Sequence, residues 1–131
     1  MAQDSERTVG FTCGTFDLLH AGHILMLDDC RQHCDLLIVG LNAKGKKNTV
    51  EGIFERWMKL RSLRYIDEVI IYEEKDLENI LKWLNGKYPK FVRFEGEDHR
   101  SHKHRWPEIK TIFTKRDHDY SSTDIKQRCR G

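Results

Sequence analysis

The run Leu36-Leu37-Ile38-Val39, bounded by Asp35 and Gly40, constrains this chain more than any other stretch. Successive side chains of a strand point to opposite faces, so four consecutive apolar residues need cover on both. That is the environment of an interior strand in a parallel sheet. The neighbouring segments supply the cover. Val9-Gly10-Phe11-Thr12-Cys13 predicts a strand entering a tight turn at Gly14, and Ile24, Leu25, Leu27 and Cys30 then recur at helical spacing from Gly22 to His33. A helix over Ile53–Tyr65, a strand at Val69-Ile70-Ile71, and a helix from Asp76 to Leu84 capped by Asp76 continue the alternation. Pro89 opens a strand over Lys90–Phe94, a further strand is expected at Ile109–Phe113, and a last helix at Asp124–Arg128. This order predicts an α/β fold, a mainly parallel sheet of about five strands flanked by helices. At 131 residues, without an internal repeat or a linker, the expectation is a single domain, 1–131.

Charge and composition exclude several functions. Lys and Arg total 23 against 21 Asp and Glu, and a net charge of +2 lacks the basic excess that non-specific nucleic-acid binding needs. No stretch approaches the ~20 apolar residues that span a bilayer. Residues 1–7 have no apolar signal core and are too acidic for a transit peptide, so the expected location is the cytoplasm. Cys13, Cys30, Cys34 and Cys129 show no CxxC pairing and read as free thiols, with Cys13 and Cys30 partly in the core. Cys30, His33 and Cys34 share a helical face but lack a fourth ligand for zinc.

Sheets of this kind bind ligands beyond the carboxyl ends of their strands, near a reversal of strand order. The loop after the first strand, Gly14-Thr15-Phe16-Asp17-Leu18-Leu19-His20-Ala21-Gly22-His23, carries the strongest chemical signal there. Gly14 lets the backbone turn and approach a ligand without a Cβ in the way. The helix that follows offers N–H groups and a positive dipole end suited to phosphate. His20 and His23, three apart, place both rings on one helical face. Two imidazoles in that setting can donate hydrogen bonds to charge developing on phosphoryl oxygens.

His20-Ala21-Gly22-His23 after Gly14-Thr15-Phe16-Asp17 resembles the HxGH signature of the nucleotidyltransferase superfamily, and the whole stretch is similar to that of the glycerol-3-phosphate cytidylyltransferases. Further matches follow in the family's order. Glu55-Arg56 resembles its ER pair, Leu63–Val69 its RYVDEV segment, Gly96-Glu97-Asp98 its Gly-acidic-Asp, and Arg116–Ile125 its RTEGISTT motif. The resemblance implies a Rossmann-like nucleotidyltransferase fold. It also implies transfer of CMP from CTP to a phosphorylated small alcohol such as glycerol 3-phosphate, with pyrophosphate released. Related members use ATP with a flavin mononucleotide or sugar-phosphate acceptor, and a non-catalytic nucleotide-binding module is a further alternative.

The same resemblance assigns roles. His20 and His23 contact the triphosphate and steady the transition state, while Gly14, Thr15, Phe16 and Gly22 present backbone or hydroxyl groups to it. Lys44, Lys46 and Lys47 are candidates to grip the phosphates, with Lys46 the first choice and a solvated loop the alternative. Arg116, Ser121, Ser122 and Thr123 close over the nucleotide beside Gly96, although Ser121 could equally be a plain helix cap. Arg56, Arg64, Asp67 and Asp98 support the site or the acceptor, with ion pairing within the fold an alternative for Arg64 and Asp67. Asp17 and Asp98 hold Mg²⁺ through water, magnesium being the expected cofactor. The 97–105 segment reads as a solvated basic lid, as an anion site through Arg100, Lys103 or Arg105, or as a metal site of His99, His102 and His104 with Asp98. A homodimer is implied, with Trp57, Tyr65 and Trp83 available to an interface and Trp57 also suited to the core.

Overall fold

A computed structural model of the protein describes residues 6–96 and 106–114. The expectations for Asp98, the 99–105 histidines and cations, Arg116, Ser121, Ser122, Thr123, Cys129 and the last helix lie outside the described residues. The elements run β1 (Thr8–Gly14), α1 (Ala21–Gln32), β2 (Leu36–Asn42), α2 (Ile53–Arg61), β3 (Glu68–Tyr72), a 3-10 turn at Glu74–Asp76, α3 (Leu77–Lys87), β4 (Lys90–Gly96) and β5 (Thr111–Thr114). The five strands form one sheet in the order β3-β2-β1-β4-β5, and every neighbouring pair is parallel. The α/β expectation holds, and β2 lies inside the sheet as its unbroken apolar run requires.

Two cores follow from the alternation of side chains. On one face Leu27 and Cys30 of α1 and Leu60 of α2 pack on Leu37, Val39, Leu41, Val92 and Phe94. On the other, Leu77, Leu81 and Leu84 of α3 cover Val9, Phe11, Ile38, Tyr72 and Phe91, together with Trp106 and Ile109. Trp57 and Tyr65 pack against the first core, whereas Trp83 is 58 % exposed. Among the described residues no helix is long and apolar enough to cross a membrane.

Several boundaries differ from the sequence-based expectation, each for a local reason. Helix α2 stops at Arg61, because Ser62 N–H bonds to the Lys59 carbonyl, Leu63 N–H to that of Leu60, and the Ser62 hydroxyl donates to Lys59 O at 2.7 Å. Asp76 precedes α3 but makes no side-chain cap, since the 3-10 turn brings it in with helical torsions. Ile109 turns back onto Trp106 and the fifth strand begins two residues later, at Thr111. Cys13, Cys30 and Cys34 are free thiols. Burial pushes Cys13 and Cys34 up to about 11 and Cys30 higher still.

The interior of β2 depends on a missing side chain. A Cβ on Gly40 would meet the Phe11 ring at 2.8 Å, Cys13 Cβ at 3.0 Å and the Tyr72 ring at 3.1 Å, all on the α3 face. Gly40→Ala should therefore lower the urea midpoint by the equivalent of about 1–3 kcal/mol with an unchanged denaturant slope, as overpacking of a filled core does. A midpoint equal to that of the parent chain would refute the packing argument.

Candidate active site

The strand order reverses at β1, since β2 and β3 are added on one side and β4 and β5 on the other. The strands also part there. Pairing of β1 with β4 ends at Phe11↔Arg93, yet β1 runs on to Gly14 and β4 to Gly96, three residues further in each. Both strands keep their outer partners to the end, at Gly14↔Leu41 and Gly96↔Thr114. A cleft thus opens between the last residues of β1 and β4, at the switch point where sheets of this class hold ligands.

The chain leaving β1 is bent hard into α1. Phe16 and Leu18 both have φ of 50°, a left-handed conformation that costs a non-glycine residue on the order of 1 kcal/mol. A reciprocal latch holds them. Asp17 accepts the N–H of Val50 and of Glu51, each at 2.9 Å, while Glu51 accepts the N–H of Leu18 at 2.8 Å. Both carboxylates are buried, and Glu51 is also ion-paired with Lys59. Arg56, only 2 % exposed, completes the frame. Its guanidinium donates to the carbonyls of Glu51 (3.0 Å), Thr15 (3.1 Å), Asn42 (2.7 Å) and Ala43 (2.9 Å).

That frame presents the two histidines. His20 is the N-cap of α1, and its Nδ1 accepts the N–H of Gly22 at 3.0 Å; His23 Nδ1 accepts the N–H of His20 at 3.1 Å. The arrangement is a capping box built from imidazoles in place of Ser and Glu. Because each Nδ1 accepts, a neutral ring carries its proton on Nε2, an assignment made from the hydrogen-bond geometry. The ring centroids lie 3.8 Å apart, and Phe16 packs on His23 at 5.4 Å. Two Nε2–H donors are thereby held side by side at the head of a helix.

The other expected residues divide. Gly14, Thr15, Phe16, Gly22 and Gly96 all belong to the cleft edges, although Phe16 is buried and contributes a packing ring, and the Gly22 amide is engaged by His20. Lys44, Lys46 and Lys47 are exposed on the loop leaving β2. That loop is organised by Asn42, which accepts the N–H groups of Lys44 and Gly45, and by Thr49, whose hydroxyl accepts Lys46 N–H at 2.7 Å. Asp17, expected to hold magnesium through water, instead spends one carboxylate oxygen on each of two backbone amides and works as a loop latch. Among the described residues no three His, Cys, Asp or Glu side chains gather as a metal site.

Arg64 and Asp67 are a second correction. Asp67 accepts Leu37 N–H at 2.8 Å and pairs with Arg31 at the end of α1, which puts it at the amino end of the strands. At ~3.3 Å per residue, β2 separates it from the cleft by roughly 20 Å. Arg64, exposed and laid over the Tyr65 ring, precedes the same end of β3. Of the expected supporting residues, Arg56 alone reaches the cleft frame among those described. Glu51 went unread, because its partner Leu18 lies 33 residues away and no local pattern marks it.

Known proteins share the family and the fold. The sequence profile of the cytidylyltransferase-like family matches residues 11–128. The bifunctional protein HldE of Granulibacter bethesdensis is 37 % identical over 100 residues, covering 71 % of this chain and 20 % of that protein. HldE of Campylobacter curvus is 36 % identical over 91 residues, 64 % of this chain and 19 % of the relative. The chain thus spans about a fifth of the length of these curated relatives. Among solved structures, a lipopolysaccharide core biosynthesis protein from Thermoplasma volcanium superposes with a TM-score of 0.68 at 19 % identity, covering 88 % of this chain and 99 % of the other. A protein assigned as a nicotinate-nucleotide adenylyltransferase from Vibrio parahaemolyticus gives 0.64 at 15 % identity, with 92 % and 79 % covered. At those identities the structural likeness establishes a common fold.

Replacing Arg56 tests the frame. Arg56→Ala strands four carbonyls and should destabilise the chain by about 3 kcal/mol or more, and Arg56→Lys should recover little, because an ammonium cannot reproduce the planar fork. Chemical denaturation of both variants measures this, and a full rescue by lysine would refute the geometric account.

Proposed function

The chain belongs to the cytidylyltransferase-like family of nucleotidyltransferases, and from that premise we propose that it transfers a nucleotidyl group from a nucleoside triphosphate to a phosphorylated small molecule, releasing pyrophosphate. In the fuller form of this reading the donor is CTP and the acceptor glycerol 3-phosphate or a similar phosphorylated alcohol, in a cytoplasmic homodimer. The paired Nε2–H donors of His20 and His23 carry the reading. An oxygen of the acceptor phosphate attacks the α-phosphorus in line, charge builds on the phosphoryl oxygens, and two preorganised donors lower that barrier without reorganising. Lys44, Lys46 and Lys47 supply mobile positive charge for the departing pyrophosphate. The reaction needs no covalent enzyme intermediate, because positioning and charge stabilisation suffice. Asp17 is engaged with the backbone amides of Val50 and Glu51, Asp98 lies outside the described residues, and no step above runs through magnesium.

A second reading replaces CTP with ATP. The Vibrio protein of the same fold bears an adenylyltransferase assignment, which favours it. Pyrophosphate release with CTP and with ATP, each against a panel of phosphorylated alcohols and sugars, separates the two; turnover confined to ATP would overturn the CTP assignment.

The cap offers a way to separate catalysis from folding at one residue. Asparagine is among the best N-caps, so His20→Asn keeps an acceptor for the Gly22 amide while removing the Nε2–H donor. Thermal stability should stay within a few degrees, and pyrophosphate release should fall by about 100-fold or more. Undiminished turnover in a stably folded His20→Asn protein would remove the transition-state role.

A further inference from the structure

Neither the family resemblance nor the transfer chemistry above gives the buried carboxylate of Glu51 a role in turnover. Its N–H, its carbonyl and both side-chain oxygens are nevertheless all engaged. The N–H donates to Asp17 Oδ1 at 2.9 Å, and the carbonyl accepts from Arg56 Nε at 3.0 Å. The side chain divides its two oxygens: Oε1 accepts the N–H of Leu18 at 2.8 Å, and Oε2 is ion-paired with the half-exposed Lys59 of α2. The two halves of the latch therefore act on different loops. The Asp17 side chain fixes the backbone at Val50 and Glu51, where the lysine loop ends, and that loop has its own closures at Asn42 and Thr49. The Glu51 side chain fixes Leu18, two residues ahead of the N-cap His20.

Glu51 is only 8 % exposed, so its carboxylate gives up most of its hydration; an apolar side chain of the same length would fill the space without that cost. What only an acceptor can do there is hold the Leu18 amide. Leu18 has φ of 50°, which a non-glycine residue adopts against its own preference, and a bond to a carboxylate oxygen is of the stronger, charge-assisted kind. Without that bond Leu18 would relax toward negative φ and swing the chain that enters α1. His20 donates its N–H to His23 Nδ1 and accepts the Gly22 N–H on its own Nδ1, so a turn displaced at Leu18 misaligns both imidazoles at once. We propose that Glu51 is a positioning residue for nucleotidyl transfer. Through the Leu18 amide it sets the orientation of the His20–His23 pair, and Lys59 holds the carboxylate in place. What the imidazoles then do rests on the nucleotidyl-transfer reading above, whereas the placement of the rings does not.

The test compares Glu51→Gln with Glu51→Met. Both fill the space of the parent side chain, but only glutamine offers the Leu18 N–H an acceptor, and Lys59 can turn to solvent in either. Folding of each variant is checked by urea denaturation. Long-range proton–nitrogen spectra of the imidazoles then report tautomer and ring environment without any substrate. At slightly alkaline pH the parent chain should show both rings in the Nε2–H form. Glu51→Met should shift the His20 and His23 signals, and Glu51→Gln should keep them close to those of the parent. Where turnover is seen, Glu51→Met should lower kcat at least about tenfold and leave KM for the triphosphate within about twofold, because the lysine loop keeps its own anchors. Glu51→Gln should recover most of that loss. In a His20→Asn background Glu51→Met should cost less than in the parent, because part of what it aligns is already gone. Should Glu51→Met not fold, Glu51→Asp, one methylene too short to reach the amide, takes its place with the same expected results. Unmoved imidazole signals in Glu51→Met, glutamine no better than methionine, or losses that multiply in full in the double variant would overturn the proposal. Signals that shift in Glu51→Met and return in Glu51→Gln, in a chain that releases no pyrophosphate, would leave the positioning standing and count against the nucleotidyl-transfer reading instead.

Discussion

The buried guanidinium of Arg56 is the interaction on which the carboxyl edge of the sheet depends. Four carbonyls from three separate pieces of chain converge on it: Thr15 after β1, Asn42 and Ala43 at the end of β2, and Glu51 before α2. Thr15, Ala43 and Glu51 lie outside the strands and helices and Asn42 is the last residue of β2, and a buried carbonyl left without a donor costs on the order of 1–3 kcal/mol. A planar cation with five N–H groups is the one side chain that can serve so many at once. Because it binds backbone only, it places no demand on the loop side chains. Lysines and histidines can therefore sit in these loops for chemical reasons, while the positions of the loops are set from beneath.

Within that frame, strain and charge offset each other locally. The left-handed residues Phe16 and Leu18 would relax if free, and the Asp17–Glu51 latch stops them by trading backbone N–H groups across 33 and 34 residues of sequence. Both carboxylates are buried, which is tolerable because each accepts two hydrogen bonds or ion pairs, Glu51 including Lys59. The bend they enforce sets the ring of Phe16 against His23 and delivers His20 to the N-cap. The capping box then fixes both imidazoles by their Nδ1 atoms. One set of hydrogen bonds thus ends the helix, chooses the tautomer and aims the donors, so the stability of α1 and the readiness of the site are linked through the same four atoms.

How far this was legible in the sequence depended on the range of the interactions. The strands were readable because Leu36–Val39 and its neighbours announce burial within a few residues. The histidine pair was readable because i and i+3 share a helical face. Arg56 emerged only through resemblance, since periodicity would put a charged residue of α2 outside and Phe54 inside, and the structure has Phe54 65 % exposed with Arg56 buried. Asp17 misled for the same reason. A carboxylate beside a phosphate loop looks like a metal ligand until the amides of Val50 and Glu51 are found against it. Asp67 and Arg64 sit in a recognisable motif, but a motif carries no information about which end of a parallel sheet it reaches. The end of α2 and the start of β5 moved because single turns, closed by Ser62 and by Ile109, outweigh the average preference of the segment.

The opposition of the two cleft walls follows from topology. Helices α1 and α2 connect strands on one side of β1 and cover one face of the sheet, while α3 leads back across to β4 and covers the other. Loops leaving β1 and β2 therefore bring helix N-terminal amides, imidazoles and lysines to one wall. The end of β4 brings Arg93, beside the Trp106 ring and paired with Glu95, to the other. A net charge of only +2 thus conceals a local separation, with imidazoles and lysines toward one wall and an Arg–Glu pair toward the other. Which groups face the cleft is in this way decided by where the strand order turns, before any individual contact is made.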